Sequence, residues 1–123
     1  MMRSQMAEAF YNALTDSNNA SSAGATAEFK DQISSRAIEA MRDIGYNVTH
    51  LKPKQLNEEM VDTAGKVIYF PSNYMPDYVK QNLKSELWNV VDPHYHKEQG
   101  MELVRQVRDD IKMRVENLVR DTV

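Results

Sequence analysis

The stretch Lys66-Val67-Ile68-Tyr69-Phe70 constrains this chain more than any other. It is a short apolar run, closed by Gly65 on one side and Pro71 on the other. An unbroken apolar run suits a strand covered on both faces, as in a parallel sheet. Leu87-Trp88-Asn89-Val90-Val91 reads as a second such strand, ended by Asp92-Pro93. Parallel strands need crossover connections, and helical stripes between and around the two runs supply them.

Met6, Phe10 and Leu14 recur every fourth residue in a helix that begins almost at the first residue. Ile33, Ala37, Ile38, Met41 and Ile44 form a second stripe, with Ser34 or Ser35 to cap its start and Gly45 its end. Asn57 caps a short helix that buries Met60, Val61 and Ala64 and stops at Gly65. Pro71–Pro76 is a loop, and Pro76 opens a helix through Leu83. A last helix from about Gly100 to Arg120 carries Val104, Val107, Ile111, Val115 and Leu118. Arg105, Arg108, Asp109, Lys112 and Glu116 fall mostly on its other, solvated side. Ala20–Gly24, after the turn cluster Asp16–Asn19, has the propensity of a loop. The order of elements predicts an α/β fold, a doubly wound parallel sheet with helices on both faces. At 123 residues it should form a single domain, 1–123.

Composition narrows function by exclusion. The net charge is −3, with no basic footprint for nucleic acid. No apolar run approaches a membrane span, and no signal-peptide pattern opens the chain, so the cytoplasm is the expected compartment. Asn19-Ala20-Ser21 and Asn47-Val48-Thr49 match the glycosylation pattern by chance on that reading. There is no cysteine, which excludes disulfides, thiolate metal sites and thiol nucleophiles.

Candidate chemistry begins with Arg3 and Ser4, at the N-terminus of the first helix. Free N–H groups and the helix dipole favour an anion there. A solvated Arg3 and a capping Ser4 explain the same residues without a ligand. The segment Arg3-Ser4-Gln5-Met6-Ala7-Glu8-Ala9-Phe10 resembles the one that follows the phosphate loop of low-molecular-weight protein tyrosine phosphatases. The thioredoxin-coupled arsenate reductases share it. Ser22-Ala23-Gly24 resembles the end of that family's second strand, and Gly45 through Pro53 follows its next connector. Trp88-x-x-x-Asp92-Pro93-His94-Tyr95 resembles its strand-ending Asp-Pro-Tyr-Tyr, with His94 departing from the pattern.

The resemblance implies an enzyme built from four elements. These are an attacking thiolate, a loop of backbone N–H groups, an Arg gripping the equatorial oxygens, and a carboxylic acid for the leaving oxygen. Arg3 matches the Arg, Asp92 the acid, and Ser4 the serine that stabilises the thiolate. Tyr95, with His94, would line the pocket mouth for an aryl substrate. Counting back from Arg3 to the nucleophilic Cys runs off the front of the chain. Nothing in Pro71–Leu83 replaces the redox cysteines of the arsenate reductases. The sequence therefore resembles a family member beginning inside its own active site, truncated or degenerate and catalytically incompetent as it stands. A non-enzymatic oxyanion-binding or protein-interaction module is the alternative.

The partner expected is an oxyanion: phosphate, sulfate or arsenate. No cofactor, metal, nucleic acid or membrane is expected. His94-Tyr95-His96 with His50 raises a metal reading, but the spacing supplies no third or fourth ligand or supporting shell. The methionines fit as core filler. The family's first strand lies inside its sheet, between the stretches that correspond to Ala20–Gly24 and Lys66–Phe70. Without it the fold should not keep an empty slot, because unpaired buried backbone groups cost ~1–3 kcal/mol each. The flanking strands should close up, a partner should insert a strand, or the second strand should detach to leave a smaller sheet. Exposed sheet edges would also favour a homo-oligomer.

Overall fold

The computed structural model describes residues 2–26 and 32–121; Met1, which opens the sequence beside Met2, lies outside them. Helix α1 (Met2–Thr15) buries Met2, Met6 and Phe10. Leu14, expected on the same stripe, is 42% exposed, because the last turn of α1 projects past the core. Helix α2 (Ser35–Arg42) starts at Ser34, whose hydroxyl makes no capping bond. Gly45 closes the turn after it at φ +88°, its N–H donating to the Arg42 carbonyl. Helix α5 (Gly100–Asp121) buries Leu103, Val104, Val107, Ile111 and Val115 against α1 and α2.

The charged side of α5 is not wholly solvated. Arg108 is buried, donating from Nη1 to the Ala40 carbonyl at 2.8 Å and from Nε to Asp109 at 2.8 Å. Its stem covers the α2–α5 seam while its head ties up an α2 carbonyl. Arg105 stays near the surface and pairs with Asp43 at 2.7 Å.

Helix α3 (Glu58–Thr63) is capped as expected, the Asn57 side chain accepting from the Met60 N–H at 3.0 Å. It buries Val61 but leaves Met60 38% exposed, and it ends one residue before Ala64. Lys84 holds its far end: Nζ reaches the carbonyls of Val61, Asp62 and Ala64 at 2.7, 3.1 and 2.7 Å. A cation on the last carbonyls satisfies both the orphan acceptors and the helix dipole. Helix α4 (Asp77–Lys80) follows Pro76 and is shorter than predicted.

Strand β1 (Val67–Tyr69) pairs in parallel with β2 (Ser85–Leu87), Ile68 opposite Glu86. The expected α/β class with a parallel sheet holds. Strand β2 begins two residues earlier than its apolar run and ends at Leu87. It is an edge strand, where polar Ser85 and Glu86 are tolerated. Trp88 and Val90, from the predicted strand, continue past it into the core, and Trp88 meets Phe70 edge-on at 6.2 Å.

The Ala20–Gly24 stretch joins neither strand. Gly24 makes an isolated parallel bridge with Gln55, its N–H to the Lys54 carbonyl at 2.9 Å and its carbonyl to the Leu56 N–H at 3.0 Å. Between this stretch and β1 lies an open cavity of about 1400 Å³. The flanking strands have thus not closed up. Among the described residues the sheet is the smaller, two-stranded one, with Ala20–Gly24 detached from it across an open cavity. The reason is that both walls are tethered elsewhere. Asn12 of α1 bonds both the N–H and the carbonyl of Ala20, at 2.9 and 3.1 Å. Gly24 is held by the 54–56 strip, and β1 is fixed to β2.

Candidate oxyanion site

In an open α/β sheet, ligands gather where strands end and helices begin. That place here is the first turn of α1. Arg3 is 5% exposed. Its Nη1 donates to the Val90 carbonyl at 2.8 Å and its Nη2 to the Pro71 carbonyl at 2.9 Å. Nη2 also meets Asp92 Oδ2 at 3.4 Å. The guanidinium stacks over Phe70, 5.3 Å from the ring centre. The chain leaving β1 and the chain leaving β2 are thereby both stitched to the start of α1. Burial lowers the Arg3 pKa from its ordinary value, while Asp92 and Tyr95 pull it back up. A guanidinium keeps its proton in proteins, so the site is a buried cation.

Asp92 serves two neighbours at once. Oδ2 faces Arg3, and Oδ1 accepts the His94 N–H at 3.0 Å, capping the 3₁₀ turn Pro93–Tyr95. The turn explanation and the acid explanation therefore concern one geometry and do not compete. Tyr95 stands 65% exposed, with the His94 ring edge-on at 5.1 Å. Ser4 is half-buried. Arg3 and Ser4 near the start of the sequence and Asp92, His94 and Tyr95 near its far end line the same 1400 Å³ cavity.

Two neighbours of Arg3 were not singled out by sequence. Gln5 is 3% exposed, lines the same cavity, and its buried amide Nε2 has no hydrogen-bond partner among the described residues. Glu8 is buried and accepts from the Ser22 hydroxyl at 3.2 Å. Both lie on α1 beside the Met2–Met6 stripe, and polar residues at that spacing were the available signal. The carbonyls of Val90 and Pro71 left none, because a main-chain acceptor carries no residue type.

The family model for low molecular weight phosphotyrosine protein phosphatase matches residues 1–123. The chain belongs to this family. Among solved structures it is similar to an arsenate reductase in the phosphate-binding state, at 30% identity and a TM-score of 0.73, over 97% of this chain and 88% of that one. It is also similar to an arsenate reductase in the oxidised state, at 29% identity and a TM-score of 0.74, over 98% and 90%. A third match is an arsenate reductase in the reduced state, at 28% identity and a TM-score of 0.70, over 98% and 90%. In this chain Arg3 and Asp92 are paired at 3.4 Å, and the sequence contains no cysteine. No helix among the described residues is long and apolar enough to cross a membrane.

Proposed function

We propose that this chain binds an oxyanion weakly at Arg3 and performs neither phosphate-ester hydrolysis nor arsenate reduction by itself, as a cytoplasmic family member. The observation that carries the reading is a retained Arg3–Asp92 pair in a sequence without cysteine. Both reactions of this family begin with a thiolate attacking phosphorus or arsenic, and the sequence has no cysteine to supply one. What remains is an anion site: the start of α1, the Arg3 guanidinium and the Ser4 hydroxyl, with Asp92 in the acid's position and Tyr95 and His94 at the mouth. Two of the guanidinium's N–H groups are spent on the Val90 and Pro71 carbonyls. An incoming anion must use those left over or displace Asp92, so affinity should be millimolar, about −4 kcal/mol. An oligomer formed through the sheet edges is compatible with this role.

The test pairs a titration with an assay. Inorganic phosphate added to the labelled chain should shift the Ser4, Gln5 and Met6 amides, and Arg3→Ala should abolish the shifts. Equal shifts in the variant would remove Arg3 from the site. With an aryl phosphate, the purified chain should show only background turnover, unchanged by Asp92→Ala. A burst followed by steady turnover that Asp92→Ala suppresses would overturn the silent reading.

A further inference from the structure

A guanidinium grips an oxyanion best with two parallel N–H groups. It has two such edges, Nη1 with Nη2 and Nε with Nη2, so either grip needs a hydrogen on Nη2. Both hydrogens of Arg3 Nη2 are committed, one to the Pro71 carbonyl at 2.9 Å and the other to Asp92 Oδ2 at 3.4 Å. These two contacts are unequal. A charge-assisted N–H···O bond is ordinarily about 2.7–2.9 Å long, so the carboxylate is the loosely held partner. Arg3 is not free to turn and offer another edge. It is 5% exposed, tied to the Val90 carbonyl at 2.8 Å, and packed 5.3 Å from the centre of the Phe70 ring. The Asp92 side chain is 24% exposed and has solvent to rotate into. Of the two charged groups, Asp92 is the one that gives way.

We propose that Asp92 is a built-in competitor at the oxyanion site: an arriving anion takes the Nη2 hydrogen that Asp92 holds, and the displaced carboxylate releases the turn at the mouth. The proposal rests on the reading of Arg3 as the oxyanion's ligand. Release follows because Asp92 is divided between two duties. While Oδ2 faces Arg3, Oδ1 accepts the His94 N–H at 3.0 Å and caps Pro93–Tyr95. The two oxygens belong to one rigid carboxyl, so a rotation that takes Oδ2 off Arg3 also moves Oδ1 off His94. An anion seated on Arg3 adds like-charge repulsion, which water screens little beside a buried group. The turn carries Tyr95 and His94, whose rings meet edge-on at 5.1 Å. The mouth is therefore capped when the site is empty and uncapped when it is filled. Anion occupancy, read at Arg3, is reported at the exposed Tyr95.

The test uses the full labelled chain and inorganic phosphate. In the unaltered chain, saturating phosphate should speed exchange of the His94 amide severalfold, since that N–H loses its acceptor, and should shift the Tyr95 resonances. Asp92→Asn keeps an oxygen for the His94 N–H but carries no charge to compete for Nη2. It should bind phosphate about fivefold more tightly, the upper end for a partly exposed ion pair. Its His94 amide should then stay unmoved as phosphate is added. Glu116→Gln removes an exposed charge on α5 and should leave the affinity as it was. Unchanged or weaker binding by Asp92→Asn overturns the proposal, and so does a His94 amide that phosphate leaves unmoved in the unaltered chain. Equal tightening by Glu116→Gln overturns it in favour of net charge. These failures leave the oxyanion reading standing when Arg3→Ala abolishes binding. Phosphate binding that survives Arg3→Ala removes that reading, and this proposal with it.

Discussion

Around Phe10, where α1, α2 and α5 meet, nothing is left exposed. Phe10, Ala37, Ala40, Met41, Val104 and Ile111 are fully buried, and the Tyr46 ring stands edge-on to Phe10 at 5.1 Å. Around Ile68, in the middle of β1, the side chain is half-buried and the main chain faces open space. A pair of three-residue strands cannot hold itself together in water. The helical layer therefore carries the fold, and the sheet positions the site. Both walls of the cavity hang from that layer: Ala20 through Asn12 of α1, and the end of β1 through Arg3. This is why the slot stays open without collapsing the domain.

The sharpest way to break that contrast is to delete one side chain from each region. Phe10→Ala should cost about 3–5 kcal/mol, because a fully buried aromatic leaves a cavity that three packed helices cannot close. Ile68→Ala should cost about 1 kcal/mol, since much of its surface is already wet. Urea denaturation of both variants measures the difference. Equal losses would mean that the sheet contributes as much as the helices, and the division of labour would fall.

Lys84→Met should cost about 1.5–3 kcal/mol, the range for hydrogen bonds to a charged group. It leaves the Val61 and Asp62 carbonyls of α3 and the Ala64 carbonyl just beyond it without their donor. Because Lys84 directly precedes β2 and its Nζ grips the end of α3, the loss should reach both elements. Amide exchange should quicken in α3 and across the β1–β2 pair, while α5 keeps its protection. Faster exchange throughout α5 would show that sheet and helices unfold as one unit.

These two regions also differ in how far the sequence disclosed them. The helical stripes of α2 and α5 follow from side-chain periodicity, which is local and repeated, so Ala37, Met41, Val107 and Ile111 read directly as core. The Asn57 cap was legible for the same reason: donor and acceptor lie three residues apart. Arg3, Asp92 and Tyr95 were legible as a set only through the resemblance, because Arg3 lies 89 positions from Asp92 and shares no local pattern with it. Register was not legible. Ser85 and Glu86 are polar and Leu87 is half exposed, so the apolar run at Leu87–Val91 pointed two residues too far along. Arg108 looked like surface because residue type cannot show that an Ala40 carbonyl waits beneath it. The detachment of Ala20–Gly24 from the sheet was not legible, because the contacts that hold it, Asn12 and the 54–56 strip, are long-range and carry no motif.

The smallest expected effect tests whether the slot side has any cohesion of its own. Asn57→Ala removes the side-chain acceptor of the Met60 N–H. A lost N-cap costs about 1 kcal/mol in typical helices. Helix α3 has only six residues, and below two or three turns a helix depends on its surroundings for stability. Two acidic residues, Glu58 and Glu59, already sit in its first turn and partly compensate through the dipole. At its other end Lys84 remains in place. The loss should therefore stay local: Met60 and Val61 amides exchange faster, and the urea midpoint moves slightly. If the midpoint instead falls as far as for Phe10→Ala, α3 belongs to the cooperative core, and the contrast between the two regions would have been drawn in the wrong place.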